Sequence, residues 1–309
     1  MTRGAKSAKV DVNELIRDAQ YEDMGSGKTK KEWHDEAREA GAKSFHDVSY
    51  STPFKNPKTY ANNKQILTEL NTYIRSEFKC RSIRGITPEM VGSFLQHKID
   101  SGIGAGTFFK TIAPAMSNLE SMLNRIGVGA NFQGVLKESK VLAREKCPPP
   151  DMSSRAYGAD AERIIGAMKD ERAAFCAHLQ LEYGLRSNES FRIHLIQGKE
   201  NVIEIHQKGG YRTEKAISPE DYQKLVEMGG GRQNFTICNY QRLQHCFDAA
   251  THAVGVKSHG LHGLRAEYAC RNMDRLQGQG MSETAAKVQV SESMGHHRAS
   301  IIDTYLRGR

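Results

Sequence analysis

The sequence has no long apolar run. No stretch approaches the roughly 18 consecutive apolar residues that a membrane-spanning helix needs. The first twenty residues, MTRGAKSAKVDVNELIRDAQ, are basic and lack the apolar segment of a secretory signal peptide. The sequence therefore predicts no membrane partner and a protein that stays in the cytoplasm.

Paired cysteines and metal-binding motifs are also missing. The six cysteines are scattered and form no CxxC pair, which argues against a zinc ribbon or a disulfide framework and fits a reducing compartment. Five histidines towards the C-terminus suggest a metal site, but no HExxH or CxxC pattern supports one. We therefore expect no metal and no other cofactor. These histidines are His252, His259, His262, His296 and His297.

The chain does have an excess of positive charge. Its 309 residues include 44 Lys and Arg against 36 Asp and Glu, a formal net charge of +8. Such an excess is compatible with a polyanionic partner, because Lys and Arg neutralise phosphates and release their counterions. The length is sufficient for two domains.

Composition divides the chain into four segments. Residues 1–50 are polar and of mixed charge and predict an N-terminal extension whose two short helices lack a wide apolar face. Apolar residues then recur at helical spacing, which predicts a small all-helical domain over 51–145. Three consecutive prolines predict a linker at 146–156, since they cannot lie inside a helix. Residues 157–309 form the second predicted domain.

The second domain is predicted to be helical except for one short region. The β-like segments Phe191–Ile196 and Val202–His206, with Arg212–Ile217 following Gly209-Gly210, predict a small antiparallel sheet. The overall fold class is therefore mainly α with a small antiparallel β-sheet.

Six residues of this domain fit phosphodiester chemistry without a metal. Such a site needs fixed cations facing the non-bridging oxygens, a nucleophile, and an acid for the leaving group. Arginine suits the first role because its planar fork binds two phosphate oxygens and stays charged. A helix that starts near His262 would also direct its positive end towards an anion. The six residues are Arg186, Lys208, His262, Arg265, His296 and Tyr305.

The order and spacing of these residues resemble the tyrosine recombinase (integrase) family. The resemblance rests on Gly184-Leu185-Arg186 with Glu189, on Lys208 in a hairpin, and on His262-Gly263-Leu264-Arg265. It continues with Met294-Gly295-His296 and with Tyr305 nine residues after that histidine. It covers the second domain, and the first resembles the family's helical core-binding domain.

The resemblance implies a role for each residue. Tyr305 would attack the scissile phosphate and form a 3′-phosphotyrosine, while Arg186 and Arg265 would hold the phosphate. His262 and His296 would donate hydrogen bonds or carry the tyrosine proton. Lys208 would protonate the leaving 5′-oxygen.

The resemblance also implies the partners. We expect duplex DNA with inverted half-sites, four protomers on two DNA sites closing around the duplex, and room for accessory DNA-bending proteins. The protein would be nucleoid-associated. The N-terminal extension favours an integrase of a phage or another mobile element over a housekeeping chromosome resolvase.

Two alternative functions remain open. A type IB topoisomerase would use the same chemistry without pairing two sites. A DNA-binding accessory protein with an idle site would bind DNA without cutting it.

Three residue assignments also have competitors. Lys215 and Arg212 share the hairpin with Lys208. His259 stands in a second HGL motif, although the spacing to Arg265 favours His262. His297 is adjacent to His296, which the distance to Tyr305 favours.

Overall fold

The computed structural model describes residues 6–21, 30–43, 48, 54, 56–207, 211–296 and 298–308. The chain divides into two compact units, Met1–Asp151 and Met152–Arg309. The division falls inside the segment for which the prolines predict a linker.

The first unit is helical. Its helices are α1 (Ala8–Asp18), α2 (Lys30–Glu39), α3 (Pro57–Glu77), α4 (Pro88–Asp100), α5 (Ala105–Thr107), α6 (Ala113–Arg125) and α7 (Gln133–Lys146). A 3₁₀ turn spans Ile83–Gly85, and a π-helical segment spans Phe108–Ile112. Helix α4 begins as its sequence predicts: Thr87 accepts a hydrogen bond from the Met90 amide, and Pro88 occupies the first turn.

Helix α1 differs from the predicted polar extension. Val12, Leu15 and Ile16 are at most 1% exposed and belong to the core of the first unit. The helix packs against α3. Its apolar stripe is narrow, so the sequence pattern did not show that it is buried.

A buried carboxylate also holds α1 in place. Asp11 accepts hydrogen bonds from the amide of Ile83 at 2.8 Å, from Asn71 Nδ2 at 2.9 Å and from Ser82 Oγ at 3.0 Å. Burial would raise the pKa of Asp11, but these hydrogen bonds and one from Arg75 outweigh it and lower the pKa. The beginning of the described chain is therefore part of the helical unit.

The second unit is helical around two small sheets. Its helices are α8 (Asp160–Gly166), α9 (Glu171–Tyr183), α10 (Ser187–Phe191), α11 (Pro219–Gly229), α12 (Tyr240–Ala253), α13 (His262–Gly278), α14 (Glu283–Ser293) and α15 (Ile302–Tyr305). A 3₁₀ turn, Ala299–Ile301, precedes α15. Helix α9 packs against α12 and α13, and α13 also packs against α14.

The strands pair antiparallel, as the sequence predicts, but in two sheets. Strand β2 (Val202–His206) pairs with β3 (Arg212–Ala216) as a hairpin in which Glu204 faces Glu214. Strand β1 (Arg192–His194) pairs with β4 (Asn234–Thr236), which the sequence analysis missed because it is only three residues long. A bridge between Leu195 and Ile203 connects the two sheets. The predicted fold class is confirmed.

None of the six cysteines, all of which lie in the described ranges, forms a disulfide bond. Cys176 and Cys238 approach to 3.6 Å between sulfur atoms in the core of the second unit. Within the described ranges, no helix is long and apolar enough to cross a membrane.

Candidate active site

Arg186 lies in the link between α9 and α10. Helix α9 ends at Gly184, whose φ of 64° is the left-handed conformation typical of a glycine cap. Glu189, one turn into α10, accepts hydrogen bonds from the Arg186 amide and from Arg186 Nη1, each at 2.7 Å. The Arg186 side chain keeps 24% of its surface exposed. It is therefore fixed at one edge and still accessible to an anion.

Arg265 lies in the first turn of α13 and is 1% exposed. Its guanidinium donates to the carbonyls of Gly184 and Met294 and, through Nε, to the Tyr305 hydroxyl at 3.3 Å. Burial lowers the pKa of Arg265, and the nearby Tyr305 and Glu189 oppose that shift. A buried guanidinium with so many partners is a positive charge in a fixed position.

His262 is the first residue of α13. Its ring centroid lies 5.4 Å from that of Tyr305. Desolvation and the positive charges of Arg265, Arg155 and Arg186 lower the pKa of His262. His259, its competitor, instead packs its ring against Tyr157 and donates its amide to the Tyr157 hydroxyl.

His296 follows the turn that ends α14. Gly295 takes a φ of 65°, and the Ser291 hydroxyl donates to the His296 carbonyl at 3.0 Å. Desolvation, with the positive charges of Arg265 and Arg186 next, lowers the pKa of His296 to about 4. The imidazole is therefore neutral at pH 7.

The hydrogen bonds of His296 fix which nitrogen carries its proton. Arg265 Nη2 lies 3.1 Å from His296 Nε2, and an arginine can only donate. Nε2 must therefore accept, which places the imidazole proton on Nδ1. The Tyr305 hydroxyl lies 3.2 Å from the same Nε2. Because that hydroxyl accepts from Arg265 Nε, its own proton can point at His296 Nε2, whose single lone pair it shares with Arg265 Nη2.

Tyr305 ends α15 and is 7% exposed. Its hydroxyl has a guanidinium donor on one side and a neutral imidazole acceptor on the other. The guanidinium stabilises a developing phenolate, and the imidazole can accept the proton. This arrangement can turn a tyrosine into a nucleophile.

The structure thus brings Arg186, His262, Arg265, His296 and Tyr305 together. Lys208 and His297 lie outside the described residues, so the structure places neither. In the part of the chain that the structure describes, no group of three or more His, Cys, Asp or Glu side chains could hold a metal ion.

Sequence reasoning missed the groups that support these side chains. The carbonyls of Gly184, Met294 and Gly295 accept hydrogen bonds from the two arginines. Backbone groups carry no residue-type signal, so no motif search could find them. Lys215, on β3, was only a competitor of Lys208, and its contact with the end of α14 depends on tertiary structure.

No protein-family model matches the chain, and no curated protein sequence matches it. Solved structures do share its fold. A lambda integrase dimer bound to a COC' core site has a TM-score of 0.55 at 16% identity, covering 90% of this chain and 77% of the other. XerH site-specific recombinase bound to difH substrate, a pre-cleavage complex, has a TM-score of 0.56 at 13% identity, covering 99% and 94%.

A third structure is a lambda integrase tetramer bound to a Holliday junction. Its TM-score is 0.52 at 15% identity, and the match covers 95% of this chain and 82% of that one. Identities this low carry the fold and not the activity. The chain has the fold of the tyrosine recombinases.

Proposed function

We propose that this protein is a site-specific DNA recombinase that cuts and rejoins duplex DNA through Tyr305. The observation that carries the proposal is the position of the Tyr305 hydroxyl between Arg265 Nε at 3.3 Å and His296 Nε2 at 3.2 Å. A buried tyrosine between a fixed cation and a neutral base has what a nucleophile requires.

The cutting step is a transesterification. The Tyr305 oxygen forms a bond to the scissile phosphorus, the bond from phosphorus to the 5′-oxygen breaks, and the tyrosine proton passes to His296 Nε2. The departing 5′-oxygen takes a proton from Lys208. A 3′-phosphotyrosine and a free 5′-hydroxyl result, and attack by another 5′-hydroxyl reverses the step. The ester conserves the energy of the broken bond, so rejoining needs no ATP.

The positive charges have a separate task. Negative charge grows on the non-bridging phosphate oxygens in the transition state, and a fixed donor aimed at them is worth about 10²–10³ in rate. Arg186 is the accessible donor, while the buried Arg265 adds a fixed charge and orients the nucleophile. His262, beside the Tyr305 ring, supplies a further donor at the start of α13.

The partners follow from this proposal. Recombination joins two sites, so four copies of the chain would act on two DNA duplexes with inverted half-sites. The shared fold with a lambda integrase tetramer bound to a Holliday junction supports this expectation.

Replacing Tyr305 by Phe tests the proposal. The change removes one hydroxyl and little packing, so DNA binding and folding should persist while cutting is lost. The test uses a duplex with a nick next to the cut site. After cutting, the short piece that carries the free 5′-hydroxyl diffuses away and rejoining is prevented. A covalent complex should therefore accumulate with the wild-type protein only. Adduct formation by Tyr305→Phe would rule out this nucleophile.

The adduct assay and a plasmid assay together separate the other functions. An idle DNA-binding protein would give no adduct with any variant. A topoisomerase would relax supercoiled plasmid without exchanging strands between two sites, whereas a recombinase yields joined products only when both sites are present.

A further inference from the structure

Four consecutive residues at the end of α14 support the proposed site. The Met294 carbonyl accepts from Arg265, and the Gly295 carbonyl accepts from Arg186 at 3.5 Å. His296 contacts Tyr305. Ser293 begins the segment, and its carbonyl accepts a hydrogen bond from Lys215 on β3. The position of this segment therefore sets both arginines and the nucleophile at once.

The β2–β3 hairpin holds that segment at two points. Lys215 Nζ donates to the Ser293 carbonyl at 2.8 Å and lies 3.5 Å from the Tyr268 hydroxyl. The side chain of Gln207 packs so closely on Gly295 that a Cβ on this glycine would lie 2.1 Å from Gln207 Nε2. Thr213 Oγ1 accepts from the same Nε2 at 2.9 Å, which fixes the amide.

A cavity of about 380 Å³ lies between the hairpin and the turn, and Lys215, Gln207, Arg265 and Gly295 all line it. Loss of either hairpin contact would leave this side of the turn facing the cavity with one contact fewer from the hairpin. The ammonium group of Lys215 also stands at the C-terminus of α14, where a cation is favoured by the helix dipole and satisfies a terminal carbonyl.

We propose that Lys215 is a positioning residue: from β3 it holds the Ser293–His296 turn and thereby the arginines that bind the scissile phosphate. This inference rests on the proposed function. It assigns Lys215 a task different from proton donation, because its ammonium group is directed to the Ser293 carbonyl and Tyr268.

Three DNA substrates distinguish the tasks a lysine could have. The first is normal DNA. The second carries sulfur in place of the bridging 5′-oxygen, so its leaving group needs no proton. The third carries a methylphosphonate at the cut, which removes the charge that the arginines neutralise. Each variant's single-turnover rate is divided by the wild-type rate on the same substrate.

We expect Lys215→Met to cut normal DNA about 10- to 100-fold more slowly, because a displacement of about 1 Å can cost this much. The deficit should persist on the sulfur substrate and largely disappear on the methylphosphonate, as for Arg186→Ala. Lys215→Arg keeps a cation beside the Ser293 carbonyl and should recover part of the rate.

The matched control is Lys199→Met. Lys199 lies beside the same hairpin, is 49% exposed and pairs with Glu214, so its loss should leave all three rates unchanged. If Lys215→Met does not fold, Gln207→Ala removes the second contact with the turn and should give the same pattern.

Three results would overturn the inference. If the rate deficit of Lys215→Met disappeared on the sulfur substrate alone, Lys215 would be the acid that protonates the leaving group. An equal deficit on all three substrates would mean a general structural role, and a normal rate on every substrate would mean no role. A wild-type protein that forms no covalent adduct would instead overturn the proposed function, and this inference with it.

Discussion

At the scale of single residues, burial next to positive charge sets the protonation of the site. His296 lies beside Arg265 and Arg186, and its pKa falls to about 4, far below the roughly 6.5 of a free histidine. At pH values between about 4 and 6.5, His296 therefore binds more protons in the unfolded chain than in the folded protein. This contribution to stability is therefore fully present above about pH 6.5 and is lost as the pH falls towards 4.

We predict that His296 is neutral at pH 7 with its proton on Nδ1. Long-range proton–nitrogen NMR spectra of the free protein report the tautomer directly, and a pH titration should give a midpoint near 4. Tyr305→Phe removes the hydroxyl but leaves Arg265 as donor, so the tautomer should not change. A proton found on Nε2 would contradict the hydrogen bonding described here.

A second prediction concerns Lys208, for which the resemblance to the tyrosine recombinases implies the role of leaving-group acid. General acids contribute about 10²–10⁴-fold, so Lys208→Ala should be slow on normal DNA by a factor in that range. Sulfur at the bridging 5′-position should restore nearly the wild-type rate. Arg186→Ala should stay slow on both substrates, because its target is the non-bridging charge. If sulfur rescues neither Lys208→Ala nor Lys215→Met, His262 becomes the next candidate.

At the scale of elements, the site depends on how helices end. Helix α9 stops at Gly184, whose carbonyl accepts from Arg265, and the chain then turns towards Arg186. A Cβ on Gly184 would lie 2.5 Å from the ring of Tyr268 on α13. Only glycine therefore allows both the left-handed turn and the close approach of α9 to α13.

We predict that Gly184→Ala destabilises the second unit and slows cutting. The left-handed backbone alone costs a non-glycine residue about 1–2 kcal/mol, and the Tyr268 ring must also move. Gly198→Ala is the matched control, because its φ of 76° carries the same strain with nothing within 4 Å of the added Cβ. Urea unfolding measures the loss in free energy of unfolding for each variant. The difference between the two losses is the contribution of the contact with the Tyr268 ring. Equal losses would show that the contact contributes nothing.

At the scale of the whole molecule, the excess of positive charge bears on the proposed binding of DNA. The formal net charge is +8, and at the candidate site Arg186 and Arg265 lie beside the carboxylate of Glu189. DNA binding should therefore depend on salt.

We predict that the affinity for duplex DNA falls steeply as salt is added. With about eight phosphates neutralised, the slope of log K against log salt would be roughly −7. Fluorescence anisotropy with a labelled duplex at several salt concentrations measures it. Tyr305→Phe should give the same slope as the wild type, since the hydroxyl adds no charge. A slope near zero would be incompatible with binding through phosphates.

The sequence by itself determined those helices and strands that carry local signals, and it determined which residues are candidates for catalysis. Proline at the start of α4 and the alternation in β2 are local signals, and local signals are readable because they act over a few residues. The spacing from His296 to Tyr305 likewise needs no tertiary information. Their catalytic roles, and that of Lys208, remain predictions.

Only the tertiary structure decided what surrounds those residues. The burial of α1 depends on α3 and on the Asp11 hydrogen bonds, whose partners lie some 60 to 72 residues along the chain. The low pKa of His296 arises from desolvation and, after it, from arginines on two other elements. The contact of Lys215 with Ser293 spans 78 residues. Desolvation and hydrogen bonding depend on distance in space, and a sequence pattern does not contain that distance until the chain has folded.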